Sequence, residues 1–118
     1  MLLQDMPATA RGIQEARSGA RVRIPGWATI ECVDTPLKSD RLYDISHAGV
    51  ALFLDIQLPL HREYRLSLSL YRHGKLHLLD PLAHCVYATL AGVSGFRHGF
   101  NFSSMSDSDQ ETLAQLLA

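Results

Sequence analysis

The feature that most constrains the fold is a strict alternation of leucine with polar residues inside residues 64–72. Successive side chains of a β-strand point to opposite faces of the sheet, so this alternation predicts a strand that is buried on one face. We expect Leu66, Leu68 and Leu70 to point into the core. His73-Gly74-Lys75 follows directly and predicts a tight turn into an antiparallel partner strand.

Further β-strand signals recur at short intervals along the chain. Asp80-Pro81 predicts a bend in the strand that returns from the hairpin, because proline cannot donate a hydrogen bond to a neighbouring strand. Pro25-Gly26 predicts a bulge or an edge position in the first strand for the same reason. The predicted strands, rich in β-branched and aromatic residues, cover residues 22–33, 41–45, 50–54, 64–72, 76–90 and 96–102.

These segments predict an all-β domain with a terminal helix, namely a six-stranded antiparallel β-barrel followed by a C-terminal α-helix. Ser106 to Asp109 supply N-cap candidates and negative charge for the start of that helix. Ser108 with Glu111 fits a capping box. A narrow apolar stripe suited to docking on the sheet is formed by Leu113, Leu116 and Leu117.

The length and composition fit one ordinary globular domain of 118 residues, 47% hydrophobic and 19% charged. We expect residues 17–118 to form this domain and residues 1–16, which lack a strong apolar stripe, to be a flexible N-terminal arm. No apolar run approaches the roughly 20 residues that span a bilayer, and the N-terminus lacks a signal-peptide pattern. We therefore expect a cytoplasmic protein without membrane contact, in which Cys32 and Cys85 are free thiols.

The charge distribution argues against one class of function. The formal net charge is −1, whereas broad, non-specific binding of nucleic acid requires an excess of lysine and arginine on one face. We therefore expect no nucleic-acid polymer as a partner. One local basic cluster is present, in which only Glu15 offsets the charge of Arg11, Arg17, Arg21 and Arg23.

No pattern in the chain predicts catalysis or a cofactor. The six histidines lack the paired spacing of zinc ligands. His84 and Cys85 are neighbours on a predicted strand, so their side chains point to opposite faces and do not form a nucleophile–base pair. The run Gly92-Val93-Ser94-Gly95 lacks the serine-centred spacing of a nucleophile elbow. We expect a protein that is not an enzyme and holds no metal.

Two short motifs carry the strongest functional signal. Asp44-Ile45-Ser46-His47-Ala48-Gly49 lies between two strand-like runs, and Arg17 and Arg21 lie one strand upstream. Guanidinium groups can bind phosphate oxygens or the edge of guanine with two hydrogen bonds. A carboxylate and a hydroxyl two residues apart on an extended backbone lie on the same face. We expect the motifs to meet and form one surface for anions and guanine, while Asp44 and Ser46 also shape their own turn.

The ordered pair Arg17-x-x-x-Arg21 and Asp44-x-Ser46-x-x-Gly49 resembles the signature of PilZ domains, bacterial receptors for the second messenger cyclic di-GMP. The resemblance extends from about Arg17 to the end of the chain, where residues 99–102 and the final helix are similar to the closing elements of that family. It implies a cyclic di-GMP site formed by Arg17, Arg21, Asp44, Ser46 and Gly49. Additional contacts from Arg23 and Tyr87 are possible within the same scheme.

The resemblance also implies how such a site works. Asp44 would accept hydrogen bonds from guanine, the arginines would bind the phosphates, and Gly49 would allow a close backbone approach or a positive φ. Ligand binding would order the N-terminal arm and alter a surface for an unknown protein partner, with outputs typical of the family such as motility and biofilm formation. Ser18 stands where many members carry a second arginine, which leaves one or two ligands per chain open.

An alternative within the same resemblance is an adaptor that acts through protein contacts and binds no nucleotide. Such members generally lack the two motifs. Because both motifs are present here, the receptor interpretation is favoured.

Overall fold

The computed structural model describes residues 20–32 and 35–118. Over these residues the chain forms eight β-strands, a short 3₁₀ turn and one C-terminal α-helix. The strands are β1 (Gly26–Ile30), β2 (Leu37–Ser39), β3 (Leu42–Ile45), β4 (Gly49–Leu54), β5 (Glu63–Arg72), β6 (Lys75–Leu79), β7 (Leu82–Leu90) and β8 (Phe96–Ser104). The 3₁₀ turn is Gly92–Ser94 and the helix α1 is Asp107–Leu117.

Strand β5 is the central element, as the leucine alternation predicts. Leu66, Leu68 and Leu70 are buried, with at most 1% of each residue exposed, which confirms their inward orientation. The strand is ten residues long and therefore pairs with three others: with β1 and β6 along its second half and with β7 at its start.

The hairpin after β5 has the geometry that its sequence requires. His73 and Gly74 both have positive φ, 56° and 78°, which is the backbone of a type I′ turn that matches the twist of the flanking strands. Arg72 and Lys75 face each other across the turn. The returning chain was expected to bend at Asp80–Pro81; the structure goes further, because β6 ends at Leu79 and a separate strand β7 begins at Leu82.

The strands pair in the order β2–β1–β5–β7–β8–β4–β3, with β6 added beside β5, and every pairing is antiparallel. The all-β class with a terminal helix is therefore confirmed. The sheet is not closed by a continuous ladder between its end strands. Instead, within the described residues, an isolated bridge joins Val22 to Ile45 of β3 through N–H to O distances of 2.8 and 2.9 Å.

The eight observed strands differ from the six predicted in three ways: the first strand is shorter, the returning strand is split in two, and a short strand is added. The first predicted strand begins to pair regularly only at Gly26, since Pro25 has no N–H to donate; its carbonyl instead accepts from Tyr71 at 2.9 Å. Pro81 divides the returning strand in the same way. The short β2 was not predicted from the sequence.

The N-cap of the C-terminal helix lies two residues before the predicted capping box. Ser106, not Ser108, is the N-cap residue, and its Oγ accepts the backbone N–H of Asp109 at 3.0 Å. Ser108 lies inside the helix, so the Ser108–Glu111 box is wrong. Leu113 and Leu116 are buried and help to fasten α1 to the sheet, next to β6.

The remaining sequence-based expectations can be placed on this fold. Cys32 is partly buried and Cys85 is buried; neither forms a disulfide in the described residues, and burial raises the pKa of both thiols. Of the chain segments that the structure describes, none is a helix long and apolar enough to cross a membrane. The predicted N-terminal arm, residues 1–16, lies outside the described residues.

Candidate functional site

The two sequence motifs meet at the guanidinium of Arg21. Its Nε donates to Oδ1 of Asp44 at 2.8 Å, Nη2 lies 2.8 Å from the same oxygen, and Nη1 donates to Oγ of Ser46 at 3.3 Å. The backbone bridge between Val22 and Ile45 sets this arrangement, because it places Arg21 beside the residues that flank Ile45. One cation thus contacts a carboxylate and a hydroxyl on one surface.

The exposures of this ion pair differ between its members. The Arg21 side chain is 46% exposed, whereas the Asp44 side chain is 13% exposed. The guanidinium of Arg21 is therefore accessible to solvent, whereas the Asp44 carboxylate is mostly buried and held in place by the fold. Both contacts that Arg21 makes to Asp44 are to Oδ1. Among the described residues, Oδ2 of Asp44 is therefore left for another donor.

Ser46 has two roles in the same turn. It is fully buried, its Oγ accepts the backbone N–H of Ala48 at 3.1 Å, and its own N–H donates to the carbonyl of Gly49 at 2.9 Å. These bonds form the serine-type turn that the sequence suggested as the purely structural role. The same hydroxyl also contacts Arg21, so the turn and the polar surface share one group.

Gly49 serves a close backbone approach rather than a positive φ. A β-carbon at Gly49 would lie 2.1 Å from the carbonyl oxygen of Phe100 on the neighbouring strand β8. Its φ is not in the left-handed region. The glycine therefore lets β4 and β8 pack closely beneath the motif, and this conformational role requires no ligand contact.

A row of small residues continues the surface away from Asp44. In the strand register, Asp44 is paired with Ala51, Ala51 with Gly99, and Gly99 with Tyr87. Directly paired residues lie on the same face of a sheet, so Ala51 and Gly99 form a row of small residues from Asp44 towards Tyr87, whose ring lies over Gly99. This row could not be predicted from local sequence patterns, because only the strand register aligns these residues.

The two additional candidates are placed differently. Tyr87 covers Gly99, since a β-carbon there would lie 2.0 Å from Cε2 of its ring, and the residue is 38% exposed. Among the described residues, Arg23 forms no hydrogen bond or ion pair with Asp44 or Ser46. Its Nη2 donates to the Tyr43 hydroxyl at 2.8 Å, and its guanidinium lies 4.4 Å from the centre of the Tyr43 ring. Arg17 lies outside the described residues.

No metal-binding constellation is present in the described parts of the chain, where no three histidine, cysteine or acidic side chains converge. The groups that the described site presents are suited to recognition by charge and hydrogen bonds. Arg21 can donate to oxygen anions and Asp44 can accept from N–H groups.

Comparison with known proteins gives a consistent result. A family model described as the PilZ domain matches residues 15–118, which is most of the chain. No protein with a curated description matches this sequence.

Two solved structures share the fold. The Bacillus subtilis inhibitor of motility MotI/DgrA superimposes with a TM-score of 0.68 at 17% identity, over 84% of this chain and 48% of that protein. Escherichia coli YcgR, solved in complex with c-di-GMP, superimposes with a TM-score of 0.62 at 19% identity, over 81% of this chain and 42% of that protein. This chain therefore spans less than half the length of either structure.

Proposed function

Because this chain belongs to the PilZ domain family, we propose that it is a non-catalytic receptor for cyclic di-GMP that passes the signal to a protein partner. The observation that carries the proposal is the contact of Arg21 with both Asp44 and Ser46, which unites the two motifs on one surface. The solved complex of E. coli YcgR with c-di-GMP, which shares this fold, supports the choice of ligand.

The ligand chemistry fits the groups on this surface. Cyclic di-GMP presents two phosphates and two guanines. The Asp44 carboxylate accepts the N1–H and N2–H₂ donors of guanine, whereas Arg21 donates to phosphate oxygens or to guanine O6 and N7. The register aligns Asp44 with Tyr87 through Ala51 and Gly99, and the partly exposed Tyr87 ring would offer an aromatic face to a base.

Replacing the ion pair between Arg21 and Asp44 by contacts to the ligand costs little free energy. An ion pair with one exposed partner contributes about 0–1 kcal/mol to stability, because water screens it. Hydrogen bonds to charged groups contribute about 1.5–3 kcal/mol each. Three or four such bonds to the ligand therefore exceed that cost and approach the ~8 kcal/mol of micromolar binding.

Arg17 completes the site in this proposal. Arg17 precedes Arg21 by four positions in the sequence and would bind the phosphate that Arg21 does not reach. The N-terminal segment that carries it would become ordered over the ligand, which is how binding would alter the surface seen by a partner. Gly49 acts here by allowing β4 and β8 to approach each other, whereas Ser46 shapes the turn and orients Arg21.

Isothermal titration calorimetry of the whole chain with cyclic di-GMP tests the proposal. We expect saturable heat, a stoichiometry of one or two ligands per chain, and thermal stabilisation; at a hundredfold excess over Kd, the ligand adds about 2.7 kcal/mol to the free energy of unfolding. Cyclic di-AMP is the matched control, because adenine has an N6 donor where guanine has the O6 acceptor and lacks the N1–H donor that Asp44 requires.

The cyclic di-GMP titration distinguishes the receptor from an adaptor that binds no nucleotide. Absence of heat and of thermal stabilisation at tens of micromolar ligand would refute the receptor and leave an adaptor that binds protein alone. Equal binding of cyclic di-AMP would refute the role of Asp44 in guanine recognition. Replacement of Asp44 by asparagine tests that role directly, since the amide loses the charge and keeps the size.

A further inference from the structure

A second cluster of cations lies beside the proposed ligand site. We call it the arginine–aromatic cluster: Arg23, Arg41 and Arg97, with the rings of Tyr43 and Phe53. The guanidiniums of Arg23 and Arg97 lie 4.4 and 4.5 Å from the centre of the Tyr43 ring, and that of Arg41 lies 4.2 Å from the centre of the Phe53 ring. The two rings contact each other edge to face at 5.9 Å.

The strand register explains why these residues converge. Phe53 of β4 is paired with Arg97 of β8, and its N–H donates to the carbonyl of Arg41 on the other side. A bulge between Leu42 and Asp44 inserts Tyr43 as an extra residue in β3. Bulges re-aim side chains, and this one brings the Tyr43 ring beside Phe53.

Among the residues that the structure describes, no acidic side chain forms an ion pair with the cluster. Over residues 20–32 and 35–118, ion pairs form between Arg21 and Asp44 and between Arg65 and Asp80, and none involves the three arginines of the cluster. The Nε of Arg97 is buried and has no hydrogen-bond partner there. Three neighbouring cations repel one another, and the aromatic faces offset that repulsion only partly. The surface is therefore set up to receive an anion.

The surroundings of the cluster indicate the size of that anion. A cavity of about 340 Å³ opens between Arg23, Arg41, Tyr43 and Phe53, with Pro25 on its rim. Arg41 donates to Oγ of Ser94 at 2.7 Å, which ties the cluster to the 3₁₀ turn. Next to Ser94, Val93 is fully exposed, and Leu90 is 71% exposed. The positive surface thus continues into an apolar rim that a single small anion would not cover.

We propose that the arginine–aromatic cluster is the docking surface for an acidic segment of a protein partner, in which carboxylates bind the three arginines and an apolar side chain covers Val93 and Leu90. Charge complementarity selects the acidic residues, and guanidiniums held on aromatic rings lose little freedom when they bind carboxylates. A single-stranded nucleic acid is a poorer fit, because its bases require free aromatic faces, and here the guanidiniums already cover them. The surface does not require cyclic di-GMP.

Titration with a fluorescent, glutamate-rich peptide that contains interspersed leucines tests this surface, with fluorescence anisotropy as the readout and no nucleotide present. We expect binding that weakens as salt is raised. The double variant Arg41→Gln/Arg97→Gln should lower the affinity roughly tenfold or more. The matched control Lys38→Gln/Lys75→Gln removes the same charge from exposed positions outside the cluster and should leave the affinity unchanged.

A second measurement keeps the result independent of the variants' folding. In NMR spectra of the unaltered chain, the peptide should shift the Nε–H signals of Arg23, Arg41 and Arg97 and leave that of Arg62 in place. No binding, an equal loss in both double variants, or equal binding by a single-stranded DNA of the same charge would each overturn the proposal. None of these results bears on the cyclic di-GMP titration, so the two proposals fail separately.

Discussion

Nε of Arg21 lies 2.8 Å from Oδ1 of Asp44, although the two residues are 23 positions apart in the sequence. This contact is the point at which the arginine motif and the Asp44–Gly49 turn become one surface. The backbone bridge between Val22 and Ile45 maintains it, so the pairing is a property of the fold as well as of the side chains.

Replacement of Arg21 by alanine should abolish most cyclic di-GMP binding and leave the fold intact. Two lost charge-assisted hydrogen bonds, at about 1.5–3 kcal/mol each, predict an affinity loss of at least a hundredfold. The free energy of unfolding should fall by about 0–1 kcal/mol, because the ion pair is half exposed. Calorimetry and urea titration measure the two quantities.

The exposed Arg62, at the start of the β5 segment and away from the site, is the matched control for this change. Arg62→Ala should leave cyclic di-GMP affinity unchanged. Similar losses in both variants would mean that general positive charge, not the Arg21 site, drives binding.

Replacement of Gly49 by alanine should destabilise the protein. The new methyl group would lie 2.1 Å from the Phe100 carbonyl oxygen, and that atom belongs to a backbone held in the sheet. Relief of the clash requires β4 and β8 to separate, at a cost of about 1–3 kcal/mol. The urea midpoint measures the loss.

Gly92 separates backbone strain from steric clash, because a β-carbon there meets open space whereas its φ of 64° disfavours other residues. Gly92→Ala should cost about 1 kcal/mol through backbone strain alone. A Gly49→Ala variant as stable as the unaltered protein would contradict the close packing described here.

His98 should make stability depend on pH. Its Nε2 accepts the N–H of Leu58 at 3.0 Å, its Nδ1 lies 3.3 Å from the Phe96 carbonyl oxygen, and the residue is fully buried. Burial lowers the pKa of His98 below its ordinary 6.5. The unfolded chain then takes up a proton more readily than the folded one, so the free energy of unfolding should decrease as the pH falls through about 6.5.

Urea titrations between neutral and mildly acidic pH measure this dependence. The variant His98→Gln keeps an acceptor near Leu58 and does not titrate, so its stability should change less over the same range. The exposed His84 is the control, and His84→Gln should retain the slope of the unaltered protein. An unchanged slope in His98→Gln would show that another group is responsible.

The N-cap of α1 can be identified by a pair of serine substitutions. Ser106→Ala removes the acceptor for the Asp109 N–H and should lower the free energy of unfolding by about 1 kcal/mol. Ser108→Ala replaces an exposed helical residue and should have an effect near zero or slightly favourable. A larger loss of stability in Ser108→Ala than in Ser106→Ala, measured by urea titration, would instead support the Ser108–Glu111 capping box.

The elements that the sequence predicted well are those with a local cause. The leucine alternation of β5 and the turn at His73–Gly74 depend on neighbours within a few residues, and both are observed. The misplaced helix cap has a local cause too, but Ser106 and Ser108 both have suitable hydroxyls, and local sequence does not distinguish between them.

The site was predictable only in part. The two motifs identify Arg21, Asp44 and Ser46 by residue type and spacing, and these three do converge. The arginine–aromatic cluster carried no such pattern, because Arg41, Phe53 and Arg97 are brought together by strand register.

The sequence by itself therefore determined the antiparallel β class, the terminal helix and the family signature, since periodicity, turn residues and motif spacing are all local. Only the tertiary structure decided that the sheet stays open, that Gly49 serves the approach of two strands, and that Arg23 stacks on Tyr43. The physical reason is that a strand's partners and register depend on residues far away in the chain, and a shift of one position would turn each side chain to the opposite face.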